Sequence, residues 1–306
     1  MKKILLTFLI VGVSLSANIY NLKPVSITKD IHCVIGDFNP PTKENNGFVS
    51  NMCYVDMGKT LVVLDAGPTY KFAKEFYTLM TKQYPKHTVS HVVLTNYHDD
   101  RVQGASYFKE KGAKIVGHIT INEDIDANPT KFHRMKKRLD KDVVEGTKVI
   151  HADTLVDSGY KIIGSKKELE IIKPSVVSEE KSDIAIYSRE DSFLFVGNLV
   201  FNGRLLSYKK TSNVDGWIKA LENLAKLDAK YLLGGHGNDY SKDSYKPTLE
   251  YLQILKADVK KAYEEEIDSD EIVSHVKTDK FKDINHFKQL NYKNIQNYFE
   301  QLEWAE

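Results

Sequence analysis

Leu94-Thr95-Asn96-Tyr97-His98-Asp99-Asp100-Arg101-Val102-Gln103-Gly104 is the stretch that decides the fold. Before it, Val89 to Leu94, with Ser90 and His91 interposed, is an apolar β-branched run that reads as a buried strand. After it, Ala105-Ser106-Tyr107-Phe108-Lys109-Glu110 reads as the first turns of a helix. A strand ending in a loop with an imidazole and two carboxylates can aim several metal-ligand atoms into one cleft. Side chains alternate along extended backbone, so Asn96, His98 and Asp100 are expected to share a side. Taken alone, the window also fits an Asp-rich turn with His98 on the surface.

Landmarks further out choose between these readings. Val62-Val63-Leu64-Asp65-Ala66-Gly67 is a strand ending in Asp-x-Gly, and Leu194 to Phe201 is a later strand containing Gly197-Asn198. Leu232-Leu233-Gly234-Gly235-His236-Gly237 is a strand running into a glycine-flanked histidine. As an ordered set, over roughly residues 30 to 240, these pieces resemble the metallo-β-lactamase superfamily. Its signature is Thr-His-x-His-x-Asp-His-x-x-Gly, with Asp-x-Gly, Gly-Asp and Pro-Gly-His-Gly landmarks. Gly203-Arg204 and Asp215-Gly216-Trp217 are similar to its periplasmic hydrolase-like branch near quinoprotein and sulfur-oxidation systems.

The resemblance implies an α/β (α+β) fold, a four-layer αββα sandwich with the site at one edge, on loops leaving strand ends. It also implies a two-zinc ancestry, and carried over position by position the ligands are uneven. His98, Asp100 and His236 match ligands; Asn96 and Arg101 stand where histidines are expected; Asn198 replaces the bridging aspartate; Glu179 is the nearest match to the remaining histidine. An Asn carboxamide is neutral, and a guanidinium is a permanent cation with donors only, so a two-metal centre is not expected. One divalent ion, zinc or another metal, on Asp100 and His236 with Asn198 or Glu179 remains open. Its water would attack an amide, ester or thioester, with Asp100 and His98 as catalytic residues and His98 or Glu179 as base. Arg101 is expected to pair with Asp100.

Two readings follow: an exported hydrolase with at most one metal, and a non-catalytic descendant whose pocket binds a small molecule or a periplasmic protein partner. In the second, Asn96, His98, Asp100, Arg101 and Glu179 form a hydrogen-bonded network.

Lys2-Lys3, the apolar run Ile4 to Val13 and the small residues Ser14, Ser16 and Ala17 read as a secretory signal peptide over residues 1–17. Its run is too short to span a bilayer, so a periplasmic or secreted protein is expected, without membrane insertion after cleavage. Net charge is +1, and loss of Lys2 and Lys3 leaves 41 basic against 42 acidic residues. That balance gives no support for a nucleic-acid partner. An apolar content of 42% suffices for a sizeable core. Cys33 and Cys53 lie on two candidate strands and read as a bridge or two buried thiols rather than as metal ligands.

Residues 18–240 form the expected sandwich and 241–306 a helical extension packed on it, with one stripe at Leu249, Leu252, Leu255, Val259 and Tyr263 and a second over Phe287 to Trp304. A helix starts at Pro68 or Thr69, its apolar positions Phe72, Ala73, Phe76, Leu79 and Met80 recur at helical spacing, and Pro85 follows its end. Another spans Gly216 to Leu227, burying Trp217, Leu221, Leu224 and Ala225. The charged stretch 119–146, with Lys131, Arg134, Lys136, Lys137 and Arg138, reads as a solvated helical surface or as a basic flap over the cleft facing an anionic substrate. His87, His118, His133, His151, His275 and His286 read as surface histidines.

Overall fold

The structure is a computed structural model describing residues 18–304; the signal-peptide reading of residues 1–17 lies outside the described residues. Among the described residues twelve strands form two sheets. The first has the order β1 (Val25–Ser26), β2 (Ile31–Val34), β3 (Met52–Asp56), β4 (Thr60–Leu64), β5 (Thr88–Val93), β6 (Lys114–His118) and β7 (Thr154–Val156). It is antiparallel from β1 to β4 and parallel from β4 to β7. The second comprises β8 (Lys161–Ile163), β9 (Glu168–Ile172), β10 (Ala185–Ser188), β11 (Phe193–Phe195) and β12 (Tyr231–Leu233) in the order β12-β11-β10-β9-β8.

Ten α-helices among the described residues intersperse and follow the strands: α1 (Tyr70–Gln83), α2 (Asp99–Val102), α3 (Ala105–Glu110), α4 (Ile121–Ala127), α5 (His133–Arg138), α6 (Lys141–Val144), α7 (Val214–Leu224), α8 (Lys246–Glu264), α9 (Ile272–His275) and α10 (Phe287–Glu303). Period-two alternation separates the layers. On β2, β3 and β4, Ile31, Cys33, Cys53, Val55, Val62 and Leu64 face inward and meet Leu169, Ile171, Ile186 and Phe195 of the second sheet. Their neighbours Met52, Tyr54, Leu61 and Val63 face outward, against Phe72, Phe76 and Met80 of α1 and Phe108 of α3. Across the second sheet, Tyr187 and Leu194 meet Trp217 and Leu221 of α7, Leu252 and Leu255 of α8 and Ile295 of α10. The result is the expected helix–sheet–sheet–helix sandwich. Cys33 and Cys53, directly opposite on β2 and β3, form a disulfide.

Thr69 caps α1 by accepting a hydrogen bond from Phe72 N, as its position predicts. Three expectations are corrected. Helix α7 runs two residues earlier than expected and ends at Leu224, which leaves Ala225 exposed past its last turn. His118 is not on the surface: it is the last residue of β6, 5% exposed, with Nδ1 against Thr120 Oγ1. The run Leu194 to Phe201 is not one strand; Gly197–Leu199 forms a 3-10 turn after β11 and carries Asn198. Among the described residues no helix is long and apolar enough to cross a membrane.

Candidate functional site

The parallel strands β4 and β5 end side by side and release the loops that build the site. Asp65 follows β4 in a left-handed conformation (φ 63°), which non-glycine residues adopt only when their surroundings hold them there. Its carboxylate accepts from Thr95 N (2.7 Å), Thr95 Oγ1 (2.8 Å) and Arg101 Nη1 (2.5 Å). The chain after Thr95 is not extended, because Asp99–Val102 is already a helical turn with His98 at its cap. The expected alternation therefore fails. His98 and Asp100 line a cleft of about 330 Å³, and Asn96 does not. Asn96 is turned back on its own loop, accepting from His98 N (3.1 Å) and donating to Asp183 (3.1 Å), so its oxygen is committed.

Glu179, Asn198 and His236 line the same cleft as His98 and Asp100, so five expected site residues come together. His236 Nδ1 donates to Val49 O (2.7 Å), its ring stacks on Phe201, and Nε2 lies 3.9 Å from Asp100 Oδ2. Burial, with Arg204 and Arg101 nearby, holds His236 neutral. Burial alone would raise the pKa of Asp100, but the nearby guanidinium charges, Arg101 first and then Arg134, keep the carboxyl ionised.

The expected Arg101–Asp100 pair does not form. Arg101, fully buried, donates to Asp65 and to Asn198 Oδ1. Burial disfavours its charge and Asp65 more than restores it. The close approach requires glycine at 235, where a Cβ would run into Arg101 Nη2. With its oxygen taken by Arg101, Asn198 turns Nδ2 to His98 Nδ1 (2.8 Å). That assigns the lone pair of a neutral His98 to Nδ1 and the proton to Nε2, which faces Glu180 Oε1 at 2.9 Å. Burial lowers the His98 pKa, consistent with a neutral ring.

Sequence reasoning missed Glu180 and Lys209. His98, Glu179 and Glu180 bring one donor atom each within 4.8 Å of one another, the spacing of a candidate metal site. Lys209 Nζ sits among them, 2.8 Å from His98 Nε2, 3.0 Å from Glu179 Oε1 and 2.5 Å from Glu180 Oε1. Burial would discharge this ammonium, but Glu179 and Glu180 push its pKa above the ordinary lysine value. Burial likewise opposes ionisation of Glu180, and its bond to His98 and the charge of Lys209 win. Next to them Asp183 is pushed up to about 7 by burial and by the charge of Glu179.

Stretch 119–146 is neither a purely solvated surface nor unattached. Phe132, Met135, Leu139 and Val143 are buried, Gln103 Nε2 donates to Phe132 O, and Arg134 forms two hydrogen bonds to the buried Asp99. Lys131 lies 3.9 Å over the Tyr97 ring and 3.7 Å from Glu180. Burial, then the nearby charge of Lys209, lowers its pKa to about 8. His286 is not an ordinary surface residue either: it borders the cleft and donates from Nε2 to Phe38 O (2.8 Å).

A family model for the metallo-beta-lactamase superfamily matches residues 45–236. The chain belongs to the metallo-β-lactamase superfamily. A metallo-beta-lactamase type 2 from Bacillus sp. (strain 170) is 25% identical over 227 residues, 73% of this chain and 78% of that protein. Another type 2 enzyme, from Elizabethkingia meningoseptica, is 22% identical over 218 residues, 69% of this chain and 79% of its own. The solved metallo-beta-lactamase from Pontibacter korlensis superposes with a TM-score of 0.61 at 18% identity, covering 76% of this chain and 99% of that one.

Zinc is typical of the superfamily, and its fit can be tested on this chain's donors. At His98, Glu179 and Glu180 an ammonium holds the central point, and the His98 lone pair is spent on Asn198. At Asp100 and His236 two donors face the cleft, but the third expected donor, Asn198 Oδ1, accepts from Arg101. A catalytic zinc site uses three protein ligands, and a neighbouring guanidinium repels a cation. The residues do not fit a metal in this arrangement.

Proposed function

We propose that this superfamily member works without a metal and binds a small anionic molecule in its cleft. The observation that carries the reading is the charge of the walls. Lys131, Arg134, Arg138, Arg204 and Lys209 line the cleft beside two carboxylates, Asp100 and Glu179. Asp99 and Glu180 just behind pair with Arg134, Lys131 and Lys209, which leaves Arg138 and Arg204 as the lining cations without an ion-pair partner among the described residues. Of these two, Arg204 has a buried Nε and Nη1 that lack any hydrogen-bond partner. Burial lowers its pKa, and Asp100 and Glu179 only partly offset this. A guanidinium in that state is short of acceptors, which a carboxylate or phosphate supplies well. Export fits the same picture, since a disulfide belongs to an oxidising compartment.

The experiment is calorimetric titration of the purified protein with inorganic phosphate and with small mono- and dicarboxylates. Binding of at least one of these that weakens about tenfold in Arg204→Ala, roughly 1.4 kcal/mol, supports the reading. Absence of binding by every anion, or equal binding by the variant, overturns it.

A second reading keeps the hydrolase, and Asp100 with His236 favours it: Nε2 of the histidine and the carboxylate both turn towards the cleft, 3.9 Å apart. The two type 2 enzymes named above are β-lactamases by name. Zinc-dependent cleavage of a chromogenic β-lactam or thioester, lost in His236→Ala, would establish that reading in place of the first.

A further inference from the structure

We infer that Lys209 stands in for a metal ion: its side-chain nitrogen fills the point at which His98, Glu179 and Glu180 would hold a divalent cation, and removing it turns the trio into a zinc site. The inference rests on the metal-free reading above. The ammonium donates to Glu179 and Glu180, at 3.0 and 2.5 Å, and lies 2.8 Å from His98 Nε2, a contact of position rather than a hydrogen bond while that nitrogen carries its proton. One ligand atom from each of the three residues already lies within 4.8 Å of the others, close to the spread that the ligands of one ion span. The substitution is also incomplete. Lys209 is the one cation in contact with both carboxylates, with Lys131 at 3.7 Å from Glu180 alone, and Glu179 Oε2 is buried with no hydrogen-bond partner. A divalent cation would balance both carboxylates and give that oxygen a partner.

The trio lacks one thing besides vacancy. His98 carries its proton on Nε2 because Asn198 Nδ2 faces Nδ1, and Arg101 fixes the Asn198 amide in that sense. A carboxylate at 198 would accept from Arg101 and from His98 Nδ1–H together, which moves the imidazole lone pair to Nε2, towards Glu179 and Glu180. Carboxylates placed behind a ligating histidine in this way are worth about 10- to 100-fold in metal affinity. Thus two side chains, Lys209 and Asn198, separate this cleft from a metal centre. The cation it uses instead is covalently tethered and cannot be chelated away.

The test is equilibrium dialysis of the full chain against zinc chloride, with elemental analysis and thermal melting. Wild type should retain no stoichiometric zinc. Lys209→Ala should take up about one zinc per chain, bind it more weakly when Glu179→Gln is added, and bind it 10- to 100-fold more tightly when Asn198→Asp is added. Lys209→Gln, which keeps a hydrogen-bond donor near Glu180, provides a milder variant should the alanine protein fold poorly. Folding of either variant that depends on zinc would support the inference, since the metal restores the missing charge. Folded variants without zinc uptake, or variants that stay unfolded in zinc, would overturn it while leaving anion binding untouched. Stoichiometric zinc in wild type, lost in His98→Ala, would overturn both.

Discussion

Arg101 Nη1 lies 2.5 Å from Asp65 Oδ2, with both side chains closed off from solvent. This contact organises more than its own two charges. It holds Asp65 in its left-handed backbone conformation, ties the end of β4 to the loop after β5, and leaves Arg101 Nη2 to fix Asn198. Through Asn198 it reaches the proton on His98. A permanent cation at the centre of the loops thus sets the protonation pattern of the cleft.

Replacing Arg101 by Met should therefore be expensive. Removing one partner of a buried pair strands the other charge and typically costs about 3–5 kcal/mol. Urea unfolding of Arg101→Met should show that loss, and adding Asp65→Asn should recover part of it. A single variant as stable as wild type would show that the loops are held by other contacts.

The Cys33–Cys53 bridge closes a 20-residue separation between adjacent antiparallel strands. By chain entropy such a loop is worth about 3 kcal/mol. Cys33→Ala with Cys53→Ala should lower the urea midpoint accordingly, and a reductant should have no further effect on the double variant. An unchanged midpoint would show that the sheet alone enforces this pairing.

How much of this was legible in the sequence follows from what each residue answers to. The strands and α1 announce themselves by periodic apolar positions, and His98, Asp100 and His236 by their places at the ends of such strands. Lys209 answers to nothing local. Its loop is held by α10, where Asn294 accepts from Tyr208 N, Asn297 donates to Tyr208 O and Gln301 accepts from Tyr208 Oη. Those amides, of which Asn294 and Asn297 are buried, sit 86 to 93 residues downstream, on a helix that reads as an ordinary extension. A buried amide stripe beside the apolar one was the available signal. Glu180 was hidden differently: the loop before β10 has no period, and only its fold decides which carboxylate faces His98. The partner of Arg101 was misjudged because Asp100 is adjacent in sequence, whereas the helical turn sends the two side chains apart.

His118 makes a pH prediction. Burial, with help from Lys173, lowers its pKa to about 4, against roughly 6.5 in an unfolded chain. Between those values the unfolded state binds a proton that the folded state refuses. Its contribution is therefore fully present above about pH 6.5 and is lost as the pH falls towards 4. Unfolding free energies measured at pH 7.5 and 4.5 should differ less in His118→Gln than in wild type, by on the order of 2 kcal/mol. Equal differences in the two proteins would show that the imidazole titrates normally in the fold.

Lys131 gives the same logic a functional sign. Its ammonium borders the cleft over Tyr97, and burial together with Lys209 brings its pKa down to about 8. Below that value it adds a positive charge to the wall that meets the anion; above it the charge is gone, while Arg134, Arg138 and Arg204 keep theirs. Anion affinity should therefore fall as the pH rises from 7 to 9, by about fivefold, the effect of roughly 1 kcal/mol of screened attraction. Lys131→Met should bind at pH 7 as weakly as wild type does at pH 9 and should lose the slope. Calorimetric titrations with phosphate need correction, because phosphate gains charge near pH 7 and on its own would bind more tightly as the pH rises. A carboxylate ligand, ionised throughout this range, removes that ambiguity. With such a ligand, a flat profile in wild type would place Lys131 outside the binding surface, and a slope that survives in Lys131→Met would assign it to another group.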